Sequence, residues 1–228
     1  MTGIDRLEML QVGNDQAGAE MLIESARFDN LANRHENGTA PRAVSAFNLF
    51  QTPAPVGDMM IDLIPGEYFR PSYNPAILEP SAGLGRLYQS AVNRLPGARY
   101  TLIEQSPDCM KELYTLTDGR GVELKQADFL SIKPVYEGNA SIIVKELPEA
   151  FYDIIIMNPP FKMRTDIKHI LHARKFLFKN GILISLCYNG VKQNKILKPM
   201  CNTWEVLPAG SFKSEGTRAE IALLTMTI

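Results

Sequence analysis

Four short apolar runs of the sequence are each followed at once by residues that can hold a ligand or take part in catalysis. In chain order these residues are Glu79-Pro80-Ser81-Ala82-Gly83-Leu84-Gly85, Glu104, Asp128-Phe129 and Asn158-Pro159-Pro160-Phe161. If the runs are strands of a parallel sheet, their carboxyl ends meet at one edge, which is where open α/β sheets bind ligands. The four segments therefore predict a single site at that edge.

The first three segments have the chemistry of a nucleoside-binding site. Gly83 and Gly85 let the backbone turn tightly and approach a ligand closely. A carboxylate at Glu104 can accept hydrogen bonds from both ribose hydroxyls. One at Asp128 can accept from an adenine amino group while Phe129 packs on the ring. Each feature alone has an ordinary explanation as a turn glycine or a helix N-cap, but together and in this order they favour a bound adenosine group.

The glycine segment favours S-adenosylmethionine over a dinucleotide as the source of that group. A dinucleotide-binding turn has the pattern Gly-x-Gly-x-x-Gly, whereas the position three after Gly85 is Tyr88. A ligand that lacks a pyrophosphate needs no such phosphate cradle. We therefore expect S-adenosylmethionine as the cofactor.

The fourth segment is suited to methylating an amino group. Its two prolines fix φ and remove N–H donors, so that carbonyl groups of the turn can point into the site. The side-chain oxygen of Asn158 and the carbonyl of Pro159 can then both accept from one exocyclic NH2 group, which frees the nitrogen lone pair. Phe161 offers a face on which a flipped base can stack. The alternative is a proline-rich strand terminator with a core phenylalanine.

Apolar periodicity and glycine and proline punctuation predict strands that alternate with helices. The predicted strands are 76–78, 100–103, 122–127, 152–157, 182–187, 206–207 and 219–228. The predicted helices are 56–64, 86–94, 107–116 and 166–178, the last closed by Asn180-Gly181. This alternation is typical of a parallel sheet covered on both faces. We interpret residues 1–46 as a partly helical N-terminal extension and 131–150 as an inserted loop or hairpin.

The composition is that of an ordinary globular protein, with 228 residues, 45% of them hydrophobic and 21% charged. Its three cysteines are odd in number and widely spaced, which disfavours a disulfide framework and fits a reducing cytosol. No apolar run approaches the ~18 residues that span a bilayer. We therefore exclude a secreted mini-protein, a membrane protein, a coiled coil and a disordered tail, and we expect a cytoplasmic protein.

Charge is unevenly distributed along the chain. Residues 1–157 hold 13 Lys and Arg against 21 Asp and Glu, whereas residues 158–228 hold 11 against 4, so the net charge of −1 conceals a basic C-terminal third. A basic face attracts phosphate backbones, although a solvated lysine-rich surface has the same composition. We expect nucleic acid, with DNA favoured, as the partner. The residues expected to contact it are Phe161, Arg164, Lys168, Lys213 and Thr217.

With Phe50-Gln51-Thr52-Pro53 ahead of the glycine loop, the four segments resemble those of the amino-methylating class I methyltransferases. Their order is similar to the gamma arrangement of DNA N6-adenine methyltransferases, and most similar to small methylases of phages and mobile elements. Two more segments carry the likeness, Asp166-Ile167-Lys168-His169-Ile170-Leu171-His172-Ala173 and Leu207-Pro208-Ala209-Gly210-Ser211-Phe212-Lys213-Ser214-Glu215-Gly216-Thr217. The resemblance covers the chain from about residue 47 to its end.

The resemblance implies a Rossmann-like methyltransferase fold over residues 47–228, with a seven-stranded, mostly parallel sheet whose last strand is antiparallel. It implies that Glu104 holds the ribose and that Asp128 and Phe129 hold the adenine of the cofactor. The residues implied at its methionine end are Phe50, Thr52, Pro53, Glu79, Pro80, Ser81, Gly83 and Gly85. The catalytic loop would be Asn158, Pro159, Pro160 and Phe161, with Asn158 also touching the cofactor.

The activity implied is methylation of adenine N6 in DNA, with the base flipped out of the duplex. Three alternatives stay open. The first is methylation of RNA at adenine N6 or guanine N2. The second is methylation of protein glutamine, whose enzymes usually have Tyr in place of Phe161. The third is a catalytically silent nucleic-acid-binding module, which would need neither Asn158 nor the acidic strand ends. Larger gamma enzymes carry a separate target-recognition domain, and no segment here fits one, so the target sequence is not predicted.

Two weaker patterns lie in the basic third. Asp166, His169 and His172 share one face of a predicted helix, but no cysteine or further histidine accompanies them, so we expect a satisfied polar face and no metal. Lysines recur every third residue at 192, 195 and 198. This spacing fits either a track of phosphate contacts or a solvated helix face.

Overall fold

The computed structural model describes residues 50–117, 121–134, 151–215, 217 and 219–228. The extension predicted over residues 1–46 lies outside these ranges, as do residues 135–150 of the predicted insertion. Within the described ranges, no helix has both the length and the apolar character needed to cross a membrane.

Seven strands form one sheet. They are β1 (Ala76–Glu79), β2 (Arg99–Glu104), β3 (Val122–Gln126), β4 (Tyr152–Met157), β5 (Leu177–Tyr188), β6 (Thr203–Val206) and β7 (Ile221–Thr227). Their spatial order is β3-β2-β1-β4-β5-β7-β6. The first five are parallel, and β7 is antiparallel to both of its neighbours. The predicted seven-stranded, mostly parallel sheet with an antiparallel last strand is therefore confirmed.

Five α-helices connect and cover these strands. They are α1 (Ala54–Asp62), α2 (Arg86–Arg94), α3 (Pro107–Thr117), α4 (Thr165–Ala173) and α5 (Val191–Ile196). The helices predicted from periodicity correspond to the first four. Helix α5 contains Lys192 and Lys195, two of the three lysines that recur every third residue. Whether these lysines contact phosphates or form a solvated helix face stays open.

The core consists of two apolar layers, one on each face of the sheet. Alternate residues of a strand point to opposite faces, so Ile154 and Ile156 of β4 pack in the layer that includes α1 and α2. Ile155 and Met157 pack in the other layer, which includes α4. Because both faces are covered, the central strands are apolar throughout rather than alternating. This burial fixes the strands and hence the positions of their carboxyl ends.

The helix predicted over residues 166–178 extends too far at its C-terminal end. Helix α4 ends at Ala173, a short 3₁₀ turn follows over Arg174–Phe176, and β5 begins at Leu177. Asn180 and Gly181 lie inside β5 and not at a helix end: Asn180 has φ of 71°, and a Cβ on Gly181 would lie 2.9 Å from the carbonyl oxygen of Asp153. The pair therefore makes an irregularity that lets β5 approach β4 closely, with a register shift opposite Tyr152.

A buried carboxylate joins α4 to the end of β5 and to α5. Asp166 is 0% exposed. It accepts hydrogen bonds from the backbone N–H of Tyr188 at 3.1 Å and, at 3.0 and 3.1 Å, from the side-chain amide of Gln193. Burial raises the pKa of this carboxyl, and the hydrogen bonds from Gln193, Tyr188 and Ile167 oppose that effect. Three segments that are distant in sequence are thus held together by one side chain.

Replacing Asp166 by alanine should therefore destabilise the fold. The Asp166→Ala variant leaves the buried Gln193 amide and a buried N–H group without their acceptor, which we expect to cost about 2–3 kcal/mol in the free energy of unfolding. Urea denaturation measures this. The exposed Asp58 on α1 is the control, since Asp58→Ala should change the free energy by less than about 0.5 kcal/mol. Equal effects of the two substitutions would contradict the assigned role.

Candidate active site

The four predicted segments meet at one edge of the sheet. Glu79 is the last residue of β1 and Glu104 the last of β2, while Asp128 follows β3 and Asn158 follows β4. β1 lies between β2 and β4, with Leu78 paired to Thr101 on one side and to Ile155 on the other. Parallel pairing therefore brings the side chains of these four strand ends to the same edge, as predicted.

The amide of Asn158 is held in one orientation. Its Nδ2 lies 2.9 Å from the carbonyl oxygen of Phe50 and 3.1 Å from Oγ1 of Thr52. A backbone carbonyl can only accept, so the atom that faces Phe50 must be the NH2 group. The oxygen Oδ1 is buried and accepts no hydrogen bond from any residue that the structure describes. Both donor hydrogens are thus used, and the atom left over is an acceptor.

The turn that follows Asn158 is closed by one hydroxyl group. Thr165 Oγ1 lies 2.7 Å from the carbonyl oxygens of both Pro160 and Lys162, and the N–H of Arg164 donates to Phe161 at 3.1 Å. Among the hydrogen bonds described for this turn, none is accepted by the carbonyl of Pro159. The role of that carbonyl as a second acceptor beside Asn158 stays a prediction.

Two consecutive residues of this turn have left-handed backbone conformations. Met163 has φ of 53° and Arg164 has φ of 63°. Such a conformation costs a residue with a side chain roughly 1–2 kcal/mol. Strain of this kind persists only where the surroundings impose it, and the contacts of Thr165 close the turn in which both residues lie.

The glycine loop is bound to the end of β2 through Glu104. The N–H of Gly83 donates to Glu104 Oε2 at 2.8 Å, and the N–H of Ser106 donates to Oε1 at 2.8 Å. The N–H of Ala82 donates to the carbonyl of Ile103 at 3.0 Å. Each carboxylate oxygen keeps a further lone pair, so Glu104 can accept from a ligand while it shapes the loop.

Gly85 is required both by its conformation and by space. Its φ is 75°, and a Cβ at this position would lie 2.5 Å from Cδ2 of Leu116 and 2.9 Å from Cδ2 of Leu113. Helix α2 begins at the next residue, so this glycine lets the chain turn from β1 into the helix against α3. Its expected role beside the cofactor is thus accompanied by a packing role.

Glu79 places a second unpaired acceptor at this edge. The residue is 2% exposed, and its Oε2 receives no hydrogen bond from any described residue. Burial raises the pKa of the Glu79 carboxyl well above its usual value; a hydrogen bond from the backbone of Tyr88 opposes this, and the charge of Glu104 adds to it. A cation bound nearby would lower that pKa again.

Asp128 and Phe129 occupy different environments. Asp128 is exposed and its Oδ1 accepts from the N–H of Leu130 at 3.0 Å, as a cap of the short 3₁₀ turn Phe129–Ser131. Phe129 is 2% exposed, and its ring packs against those of His169, His172 and Phe176. The adenine contact expected of Phe129 stays a prediction, since its ring is largely enclosed by protein.

His169 adjoins the glycine loop, at 3.5 Å between its Nδ1 and Oγ of Ser81. Burial lowers the pKa of His169 to about 4, opposed by the charge of Asp128. The ring is therefore neutral at neutral pH. Of its two partners in the predicted polar face, Asp166 binds Gln193, and His172 contacts the carbonyl of Ile132 at 2.8 Å. No group of metal-ligating residues is present in the described part of the chain.

The residues predicted to contact substrate are spread over the C-terminal third. Arg164, Lys168 and Lys213 are exposed, whereas Phe161 is partly buried and packs against the core layer that includes α1. The ion pair of Arg86 with Glu215, at 3.8 Å, places the 3₁₀ turn Lys213–Glu215 beside the start of α2 and hence near the glycine loop. Thr217 Oγ1 accepts from the N–H of Ala219 at 3.1 Å.

The residues at this edge fit S-adenosylmethionine in their hydrogen-bonding chemistry. This cofactor has a carboxylate and adenine ring nitrogens as acceptors, and it also has several donors: an ammonium group, two ribose hydroxyls and an adenine amino group. The side chains that face the edge are acceptors: Glu79, Glu104, Asp128 and Asn158. Two of their oxygens, on Glu79 and Asn158, are buried without any donor among the described residues. A ligand rich in donors would satisfy both.

Gln193 has a structural role at this edge that sequence analysis missed. Its amide holds Asp166, which fixes α5 at the end of β5 beside the loop that begins at Asn158. The lysines at 192 and 195 dominate the local pattern and suggest a solvated helix, and no local signal marks the residue between them as buried.

The comparisons with known proteins agree with this fold. A methyltransferase subunit of a type I restriction–modification system from Streptococcus thermophilus has a TM-score of 0.62 and 17% identity, covering 80% of this chain and 46% of its own. A candidate class I S-adenosylmethionine-dependent methyltransferase from Listeria monocytogenes has a TM-score of 0.59 and 16% sequence identity. The match covers 82% of this chain and 64% of the Listeria protein. This chain spans less than two thirds of either. A candidate RNA methyltransferase from Pyrococcus horikoshii has a TM-score of 0.54 and 17% sequence identity. The match covers 78% of this chain and 87% of the Pyrococcus protein.

At these identities the solved structures support the fold alone, and no curated protein matches the sequence. The family is given by a sequence model, that of the methyltransferase small domain, which matches residues 74–213. This range contains the glycine loop, the acidic strand ends and the Asn158 turn. The chain therefore belongs to the methyltransferase small domain family, and this confirms S-adenosylmethionine, the methyl donor expected from the sequence, as its cofactor.

Proposed function

We propose that this protein methylates the N6 amino group of adenine in DNA, with the target base flipped into the site. The observation that carries the proposal is the Asn158 amide, whose NH2 group is bound to Phe50 and Thr52 and whose buried oxygen has no donor among the described residues. An oxygen presented in this way fits an exocyclic amino group, which has hydrogens to donate.

The cofactor would be held by the other acceptors of the same edge. Glu104 would accept from the ribose, Asp128 from the adenine, and Glu79, with Ser81, Gly83 and Gly85, would line the methionine end. Thr52 and Phe50 would border that end through their contacts with Asn158. When bound, S-adenosylmethionine supplies a methyl group on a positively charged sulfur, whose carbon–sulfur bond breaks as the carbon joins the acceptor nitrogen.

The chain's own contribution is to orient the amine. If Asn158 Oδ1 and the carbonyl of Pro159 both accept from the NH2 group, the nitrogen lone pair leaves conjugation with the ring. The amino proton is lost to solvent only after the nitrogen has gained the methyl group, so no strong base is needed. Positioning of this kind can supply most of the catalysis when the donor is already activated. Phe161 would stack on the extruded base.

The basic third of the chain favours a nucleic acid over a protein substrate. Arg164 and Lys168 are exposed on the turn and helix that follow Asn158, where they can contact phosphates. The similar structures include both a restriction–modification methyltransferase subunit and a candidate RNA methyltransferase. DNA is favoured by the order of the sequence segments, and RNA is the second candidate.

A methyl-transfer assay distinguishes the substrates. With tritium-labelled S-adenosylmethionine, we expect label in unmethylated duplex DNA, recovered after digestion as N6-methyladenine, and little in RNA of the same sequence or in protein. Label in RNA while DNA stays unlabelled would contradict the proposal. Label at another base would contradict the assignment of adenine.

The Asn158→Ala variant should lose transfer while it largely keeps cofactor binding. The substitution removes the acceptor for the substrate amine, whereas Glu79, Glu104 and Asp128 are unchanged. We expect a loss of at least about a hundredfold in single-turnover rate, on the scale of one removed catalytic contact. Titration calorimetry should give a cofactor Kd within a few-fold of the wild type. Asn202→Ala, at the far edge of the sheet, is the control, and an unchanged rate for Asn158→Ala would refute the role.

The Glu104→Ala variant should weaken cofactor binding. It removes the ribose acceptor and releases the N–H groups of Gly83 and Ser106, so we expect the cofactor Kd to rise at least about tenfold, as for a charge-assisted hydrogen bond. The matched control is Glu123→Ala on the neighbouring strand β3, which should leave the Kd unchanged. If the cofactor Kd of Glu104→Ala equals that of the wild type, the assignment of Glu104 to the ribose is wrong.

A further inference from the structure

A strongly exposed apolar side chain lies at the tip of the turn after the catalytic loop. Met163 is 86% exposed. Within residues 158–170, all of which are described, it is the only large hydrophobic side chain with such exposure. Of the other apolar side chains in this segment, Phe161 is partly buried and Ile167 and Ile170 are buried, so Met163 is the one that is exposed to solvent.

The turn holds Met163 outward. Thr165 Oγ1 contacts the carbonyls of Pro160 and Lys162, both at 2.7 Å, so the turn is closed at its base. The left-handed conformations of Met163 and Arg164, with φ of 53° and 63°, are those of the residues at its tip. An unfavourable backbone conformation that exposes an apolar side chain gains nothing for folding, and it therefore suggests a use in binding.

Cations surround this tip. Lys162 and Arg164 flank Met163 in sequence, and Lys168 follows one turn into α4; all three are exposed. An apolar side chain among cations matches the surface of a nucleic acid duplex, where apolar wedges enter between stacked bases and cations contact the phosphates. Methionine is suited to such a wedge because its side chain is unbranched and polarizable.

The reach of the turn fits a duplex. Met163 lies five positions after Asn158, so at most about 18 Å of extended chain joins the two residues. The major groove is about 12 Å wide. The length of chain between the two residues therefore permits both to contact one duplex.

We propose that Met163 inserts into the DNA base stack at the position that the target adenine leaves, with Arg164 and Lys168 on the adjoining phosphates. This inference rests on the proposed function and goes beyond it, since it assigns the opening of the duplex to a residue outside the Asn158–Phe161 loop. The wedge occupies the gap and so stabilises the flipped state. Its contribution matters only where the target adenine is paired and stacked.

The experiment compares two duplexes that contain the methylated site, which is first located by sequencing methylated product DNA. In one the target adenine faces thymine, and in the other it faces an abasic position, where extrusion is easier. On the paired duplex, Met163→Ala should lower the single-turnover rate at least about tenfold, and Met163→Leu should stay within about threefold of the wild type. On the abasic duplex, Met163→Ala should be within about twofold of the wild type.

The control is Met59→Ala on α1, which removes a partly exposed methionine side chain away from the turn and should change neither rate. Equal losses for Met163→Ala on the two duplexes, or no loss on either, would overturn the wedge and leave the proposed function intact. A wild-type protein that methylates neither duplex, nor the DNA used to locate the site, would contradict the proposed function itself and the wedge with it.

Discussion

The parallel pairing of β1 with its two neighbours is the constraint on which the site depends. Leu78 is paired on one side to β2 and on the other to β4, so the chain that leaves β1 must turn at the edge where β2 and β4 also end. Parallel strands are buried on both faces, and the apolar layers above and below leave them little freedom to slip. The acceptors after these strands are close together because the core fixes the strands.

The same acceptors also shape the backbone around them. Glu104 accepts hydrogen bonds from Gly83 and Ser106, and so it builds the glycine loop before any ligand is present. Asn158 ties the segment of Phe50 and Thr52 to the end of β4. The structural roles and the proposed ligand-binding roles thus fall on the same residues. Such coincidence explains why substitutions here need a readout that separates binding from turnover.

Sequence patterns were sufficient for most of the strands and for which strand ends would meet, because apolar runs and glycine and proline punctuation are local signals. The antiparallel last strand followed from the family resemblance, and the strand predicted at 206–207 is found at Thr203–Val206. These patterns were insufficient where a contact between residues distant in sequence determines the local structure. Asn180-Gly181 has the pattern of a helix stop, but the close approach of β4 places it within β5. Gln193 has no local signal of burial, and only its contact with Asp166, 27 positions away, defines it. Likewise the orientation of the Asn158 amide follows from a carbonyl that lies 108 positions away.

Two buried acceptors without partners on adjacent strands are costly, since an unsatisfied buried polar group forfeits about 1–3 kcal/mol. Glu79 and Asn158 carry this cost in the described structure, and neighbouring hydrogen bonds prevent either from turning away. Among the described residues no donor offsets this cost, and donors of a bound ligand would offset it. A cofactor with an ammonium group and a substrate with an exocyclic amine are both of that kind. In the proposed function, the same physical deficit would favour both partners at one edge of the sheet and so place the methyl donor beside its acceptor.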